Sequence, residues 1–299
     1  MKTSATPSSA KLPRRWGMAG VFHGALGVYN EGDPWRNKLA FIAKRGFHEA
    51  GCNIGDLEEP ERRAFLEQLH ERYGLGYFVH YKPDVRKDAA EERDRLLAEA
   101  KMHIAARSTL ALPIAQVVVP GALSRFQRDL PLAEQLDRLA TVLEPFVAEL
   151  GGAGLTVAIE NHADYYVSDL VGLCKRVPGL TILLDTGNCF LVGERPDLIP
   201  DAAYPLVSCT HFKDHFVQPV PKELHFQLRG ATLGAGDVGL EAMYRRLLAL
   251  HPDPASVHLM IEWVPDPGKD AVVCFNESLA FLQRISGGNF TPQPFHPEA

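Results

Sequence analysis

The chain has no CxxC pair, no apolar run approaching the roughly 18 residues that a membrane-spanning helix needs, and no surplus of positive charge. Each absence excludes something. Five cysteines (Cys52, Cys174, Cys189, Cys209, Cys274) are an odd, widely spaced set. They suit buried thiols in a reducing cytosol better than a disulfide framework or a zinc ribbon. The formal charge of −6 argues against nucleic-acid binding, whose affinity comes mainly from basic contacts to phosphates. The opening MKTSATPSSAKLPRR has no apolar core after its basic residues and reads as a disordered arm over residues 1–15, not a secretory signal. The last stretch, residues 286–299, is Pro-rich and irregular, and the sequence leaves open whether it packs on the body. A cytoplasmic protein with no nucleic-acid and no membrane partner is expected.

What is present is an ordinary globular composition, 46% apolar and 23% charged, arranged as eight alternations of a strand-like run with a helix-like one. Strands are expected at Trp16–Val21, Ala50–Ile54, Gly76–His80, Ile114–Val119, Leu155–Ile159, Thr181–Leu184, Leu206–Cys209 and Val257–Ile261. Helices are expected near Pro34–Gly46, Pro60–Tyr73, Val85–Arg107, Leu132–Leu150 with a kink at Pro145, Val167–Arg176, Pro196–Pro200, Leu240–Leu250 and Val272–Ile285. Eight such units without a break in composition predict one α/β domain, a single (β/α)₈ TIM barrel over residues 16–285. A doubly wound sheet is the alternative.

Four ligand-type residues close four apolar runs: Glu160 in LTVAIENH, Asp185 in LTILLDTGN, His211 in PLVSCTHFKD and Glu262 in VHLMIEW. A buried, unpaired charge costs on the order of several kcal/mol, so four in succession point to a shared neutralising ligand. In a barrel the strand C-termini converge on one face, which brings these positions together although they lie 25, 26 and 51 residues apart. Three carboxylates and one imidazole suit one divalent ion with open positions for substrate oxygens: Mn²⁺ first, with Mg²⁺, Co²⁺ or Zn²⁺ as alternatives. Taken singly, each of the four could equally be one half of an ion pair.

The pieces IENH, LDTGN, THFKD, LGAGD and MIEW, in this order and spacing, resemble the xylose isomerase-like TIM-barrel family. That family includes sugar and keto-sugar isomerases and epimerases, inosose dehydratases, keto-sugar lyases and, more distantly, endonuclease IV. The resemblance implies that Glu160, Asp185, His211 and Glu262 are metal ligands, and that Glu160 and Glu262 are also the acid/base pair of the epimerase branch. A metal bridging adjacent carbonyl and hydroxyl oxygens stabilises an enediolate, and a glutamate on each side can remove and return the proton. The expected function is therefore a metal-dependent isomerase or epimerase of a small polyhydroxylated carbonyl compound. A lyase that sends the same enolate to dehydration, eliminative cleavage or decarboxylation is the runner-up, and an endonuclease IV-like phosphodiesterase the remote one. Homo-oligomers suit the family, but no seam in the sequence marks an interface.

Secondary candidates surround the quartet. His162 and Lys213 are expected to contact substrate or to act as the acid of an elimination, unless Lys213 pairs with Asp214. His80 and His23 could line the pocket or simply pack. Arg229 could bind a hydroxyl or anionic group. His215, four residues after His211, has the spacing of a helical zinc pair, but a strand end is not a helix. Asn188 stands where the epimerases usually carry His; it can hydrogen-bond substrate but cannot act as a base. Gly234–Gly239 matches GxGxxG without the strand–turn–helix context that a dinucleotide site requires, and Asp237 is expected to cap the following helix.

Overall fold

The computed structural model describes residues 12–21, 23–27, 32–119, 125–162 and 165–297. Eight parallel strands close into a barrel: β1 (Arg15–Val21), β2 (Glu49–Asn53), β3 (Gly76–Tyr81), β4 (Ile114–Val117), β5 (Thr156–Glu160), β6 (Leu180–Asp185), β7 (Val207–Phe212) and, after a hairpin of β8 (His215–Pro219) and β9 (Phe226–Gly230), β10 (His258–Trp263). The ring order is β1-β10-β7-β6-β5-β4-β3-β2. Around it lie α1 (Pro34–Lys44), α2 (Ile54–Glu58), α3 (Pro60–Tyr73), α4 (Ala89–Ala106), α5 (Leu132–Gly152), α6 (Val167–Arg176), α7 (Leu240–Leu250) and α8 (Ala271–Ile285). The expected TIM barrel is the observed fold.

Alternation along each strand divides the core into two regions. Inside the barrel Ala19, Phe78, Ile114, Ala158, Leu183, Cys209 and Met260 form a small cluster, one residue from each of seven strands. The complementary positions join the much larger layer between barrel and helices, with Trp16, Tyr77, Ile182 and Trp263 buried there. Gly17 permits the closure: a Cβ at that position would stand 2.4 Å from Met260 Sδ.

Successive inward side chains on a strand are two residues apart. Ala158, Leu183, Cys209 and Met260 fill the barrel, so Glu160, Asp185, His211 and Glu262 are the next inward positions on the same four strands. The four strands are also contiguous in the ring. The pleat alone thus aims the quartet at one point on the axis.

Several expectations need correction. The stretch expected as a helix at Pro196–Pro200 is a series of 3₁₀ turns, Pro196–Leu198 and Asp201–Leu206, preceded by another at Asn188–Val192. Pro196, Pro200 and Pro205 each lack a backbone donor, so no α-helical ladder can run through them. The loop expected after the seventh strand contains the antiparallel β8–β9 hairpin. Asp237 does not cap α7: Gly239, with φ +76°, occupies the cap, while Asp237 accepts the backbone N–H of Val217 on the hairpin at 2.8 Å. The α5 helix continues through Pro145 to Gly152. The C-terminal tail packs: Phe290 is buried edge-on against Trp16, and Gln293 donates its N–H to the Arg45 carbonyl. Most of the arm expected at residues 1–15 lies outside the described residues. All five cysteines are free and buried.

At the N-terminal end of the barrel, away from the quartet, Glu49 is fully buried. It accepts hydrogen bonds from Arg15 (2.9 Å) and His258 Nδ1 (2.8 Å), tying β2 to β1 and β10. Burial alone would raise its carboxyl pKa, but these two contacts outweigh it and hold the group below its ordinary value. A depressed carboxylate stabilises the fold above its unfolded pKa, and that contribution is lost as pH falls through the folded value. Glu49→Gln is expected to cost about 2 kcal/mol near neutral pH and to flatten the fall in stability below about pH 4. Urea denaturation of both proteins across pH 3–7 checks it; parallel pH curves would remove Glu49 from the acid sensitivity of the fold.

Candidate functional site

The quartet residues offer one ligand atom each, all within 4.8 Å of one another. His211 Nδ1 lies 3.5 Å from Glu160 Oε1, 3.8 Å from Asp185 Oδ2 and 3.5 Å from Glu262 Oε2. Separations near 3–4 Å are those of ligands around one ion at bond lengths of about 2.0–2.2 Å. Both ring nitrogens of His211 and the Asp185 Oδ2 atom are buried without a hydrogen-bond partner among the described residues. Unsatisfied buried polar atoms are costly, and His211 Nδ1 and Asp185 Oδ2, 3.8 Å apart, fit a shared cation. The donor set, mainly carboxylate with one imidazole, fits a divalent one.

The surrounding contacts fix the three carboxylates. Asn161, next to Glu160, donates to the Asp185 carbonyl (2.9 Å) and accepts the Asp185 N–H (2.7 Å), locking the end of β5 to that of β6. Asp185 Oδ1 accepts the N–H groups of Gly187 and Asn188. Asn188 donates through Nδ2 to Glu160 Oε1 at 2.8 Å and accepts from Lys213 Nζ at 3.1 Å. It therefore holds a ligand and a cation in fixed relation behind the cavity wall. Gly187 leaves room for this: a Cβ there would meet His215 Nε2 at 2.8 Å and Lys213 Cδ at 2.9 Å.

Lys213 is the protein's own countercharge. Its ammonium lies 2.7 Å from Glu262 Oε2 and 3.0 Å from Asp185 Oδ2, the second at an angle that makes an ion pair without a hydrogen bond. Burial works against the ammonium, but Asp185 and Glu262 raise its pKa above the ordinary lysine value. Despite its own burial, Asp185 is held below the ordinary carboxyl value by Lys213 and His211. Glu262 is pushed up by burial and by the neighbouring Asp185 charge.

Asp214 does not pair with Lys213. Its carboxylate accepts the N–H groups of Gly234, Gly236, Val238 and His215, at 2.8–3.3 Å. The glycine-rich segment is thus folded around a side chain of this protein. A Cβ at Gly236 would stand 2.3 Å from Asp214 Oδ1, which explains a glycine there.

Above the quartet opens a cavity of about 320 Å³ lined by Glu160, Glu262, His211, Lys213, His162 and His80, and also by Ala19, Trp35, Lys38, Gly51, Asn53, Lys82 and Val118. His162 and His80 line it as the sequence expected, and Nδ1 of His162 is buried without a partner among the described residues. Burial, aided by the charges of His211, Lys38 and Lys82, lowers the His80 pKa to about 3, so this imidazole is neutral near pH 7. Asn188 and Asp185 stand behind the wall. Arg229 is not brought to the cavity: it sits on the hairpin and donates to Gln218 across it at 3.2 Å. His215 is outside the ligand cluster, and the His23 side chain lies outside the described part of the structure. Sequence reading missed Trp35, Lys38, Asn53 and Lys82. One of these could have been found: Asn53 follows Gly51 at the inward spacing of β2.

The sequence profile of the xylose isomerase-like TIM barrel family matches residues 39–287. No curated protein matches the chain. Among solved structures it is similar to a xylose isomerase-like TIM barrel protein from Mycobacterium smegmatis in complex with magnesium, at 16% identity over 95% of this chain and 100% of that one, with a TM-score of 0.68. It is similar to 3-keto-D-glucoside 4-epimerase from E. coli, at 15% identity over 90% and 99% of the two chains, TM-score 0.65. A probable 3-DHS dehydratase from Bacillus anthracis follows at 12% identity over 91% and 97%, TM-score 0.58. Identities this low carry the fold and not the reaction. The profile match spans most of the barrel, and the chain belongs to the xylose isomerase-like TIM barrel family.

Proposed function

We propose that the protein is a divalent-metal-dependent isomerase or epimerase of a small sugar or keto sugar, with Glu160 and Glu262 as its acid/base pair. One observation carries this reading: four ligand-type side chains converge with orphaned, buried donor atoms, and the two glutamates among them also line the cavity. A cation held by Glu160, Asp185, His211 and Glu262, Mn²⁺ in this reading, would supply fixed positive charge for the substrate oxygen that becomes negative as an α-proton leaves.

The protein's own groups divide the remaining work. Asp185 is wholly buried and faces no cavity, so its role is to hold the ion. Glu160 and Glu262 are the outer members of the four-strand arc, flanking Asp185 and His211. Substrate between them meets a carboxylate from each side, the arrangement needed to take a proton from one face and return it to the other. Asn188 keeps the Glu160 carboxylate oriented, and Lys213 does the same for Glu262.

The lyase reading keeps one specific support, His162, whose unpartnered Nδ1 and place in the cavity suit an acid for a leaving group. Lys213 suits that task less, because its ammonium is already engaged by Asp185, Glu262 and Asn188. An endonuclease-like activity finds no support in a cluster of four ligands on a chain of net negative charge.

Asp185→Asn removes the ligand charge while keeping an acceptor for the Gly187 and Asn188 N–H groups. Manganese affinity, measured by calorimetry on the chelator-stripped protein, is expected to fall at least about 100-fold with an unchanged circular dichroism spectrum. Equal affinity in both proteins would exclude the quartet as the metal site.

Glu160→Gln and Glu262→Gln should each slow washout of the substrate α-proton in D₂O, followed by NMR with a panel of keto sugars, by at least about 10²-fold. Normal exchange in both variants refutes the acid/base assignment.

His162→Asn separates the two leading reactions. An isomerase or epimerase should show a raised KM with kcat little changed. A lyase should lose about 10²-fold or more in product formation while α-proton exchange continues.

A further inference from the structure

The barrel ring divides the cavity into two walls of different character. β10, β7, β6 and β5 carry the quartet; the other four strands and their following segments supply the opposite wall. That wall holds Val118 after β4, His80 and Lys82 at the end of β3, Gly51 and Asn53 on β2, and Trp35 and Lys38 from α1. It contains two lysines and, among the described residues, no carboxylate that lines the cavity.

Neither lysine has a protein partner there. Among the described residues, the ammonium groups of Lys38 and Lys82 form no ion pair or hydrogen bond, whereas Lys213 forms three such contacts. The acid that acts on Lys38, Asp56, is itself held by Arg62 at 2.6 Å and by the Asn53 backbone N–H at 2.9 Å. Lys38 is part-buried, so its ammonium has given up some hydration without gaining a direct ion pair among the described residues. Both lysines line the cavity, Lys38 part-buried and Lys82 exposed at its mouth. The charges around the quartet close without them. Three carboxylates would be balanced by a divalent ion and the Lys213 ammonium, which leaves Lys38 and Lys82 without a compensating carboxylate among the described residues of their wall. This excess stands out on a chain whose net charge is −6.

We propose that the substrate is an anion, a polyhydroxylated carbonyl compound bearing a carboxylate or a phosphate, and that Lys38 and Lys82 receive this group across the cavity from the quartet. The inference rests on the function proposed above and adds the chemical class of the substrate. An anionic end held on the β1–β3 side sets the length of chain that reaches the glutamates. It also gives electrostatic attraction toward the open mouth. His80, on the same wall as the lysines, offers a donor or acceptor to the hydroxyls that lie between the walls.

The test uses the full chain loaded with Mn²⁺ and three six-carbon ketose-type probes: D-fructose, 5-keto-D-gluconate and D-fructose 6-phosphate. Calorimetry at low salt is expected to give at least one anion an affinity about tenfold or more above fructose, the scale of a hydrogen bond to a charged group. That advantage should shrink as NaCl is raised. It should disappear in the Lys38→Met/Lys82→Met double variant and persist when both positions are Arg. Whichever anion shows it identifies the group as carboxylate or phosphate. The inference is overturned if neither anion outbinds fructose, or if the advantage survives in the double Met variant, which would trace it to chelation at the quartet. Metal content and α-proton exchange, measured on the same samples, keep the two readings separable. A lysine-dependent anion preference without exchange removes the proposed reaction and leaves this assignment standing; exchange without the preference does the reverse.

Discussion

The structure turns on the mutual repulsion of three carboxylates placed at adjacent strand ends. With ligand atoms within 4.8 Å, each pair of charges repels by on the order of 3 kcal/mol at the effective dielectric of a part-buried site. Asp185 and Glu160 have almost no contact with water to offset this. Every polar contact around them lessens that repulsion in some way. Lys213 bridges Asp185 and Glu262, Asn188 donates to Glu160, and two backbone N–H groups point at Asp185. What they leave without a hydrogen bond among the described residues includes His211 Nδ1 and Asp185 Oδ2, atoms that a divalent cation could engage. The barrel supplies the rigidity that makes such crowding tolerable, because each ligand extends from a strand whose previous inward residue is packed in the core.

Much of this was legible in the sequence because parallel strands and their ends leave strong local signals. Apolar runs closed by Glu160, Asp185, His211 and Glu262 mark both the strands and the point where they converge. The opposite wall leaves weaker signals. Lys38 sits inside α1, one residue before the buried Leu39, and nothing in the pattern of that helix distinguishes a lysine facing a cavity from one facing water. Lys82 follows a strand but reads as an ordinary loop residue. The hairpin at His215–Gly230 was hidden for another reason: its strands carry Gln218, Gln227 and exposed Phe226, a pattern without a buried face. The helix expected at Pro196–Pro200 failed through its prolines, whose spacing was visible but outweighed by the rhythm of the other units.

Asp214 and Asn188 show how motif residues can shape the site without lining its cavity. The THFKD and LGAGD pieces lie some twenty residues apart, and the structure joins them through one carboxylate that collects four backbone donors. That loop holds up the hairpin beside Lys213. Asn188, in place of an ionisable histidine, uses both ends of its amide at once. A protonated imidazole in the same place would add positive charge beside Lys213 and could not accept from it. The amide therefore fits a site in which the lysine already supplies the cationic partner for Glu262 and Asp185.

The division of the ring into two arcs gives the site a consistent logic. In the proposed reaction, moving a proton next to a carbonyl would need the same ligands whatever the rest of the substrate looks like, and the candidate ligands occupy four contiguous strands. Selectivity needs groups that can vary without disturbing that network. On the opposite arc, the Lys38 and Lys82 ammonium groups make no contact that the fold depends on, so either could be exchanged at little cost to stability. That independence, with part-buried Lys38 and exposed Lys82 both lining the cavity and neither paired among the described residues, favours a ligand as their partner: where the fold needs a cation, as at Lys213, Arg15 and Arg62, the structure provides it with a carboxylate.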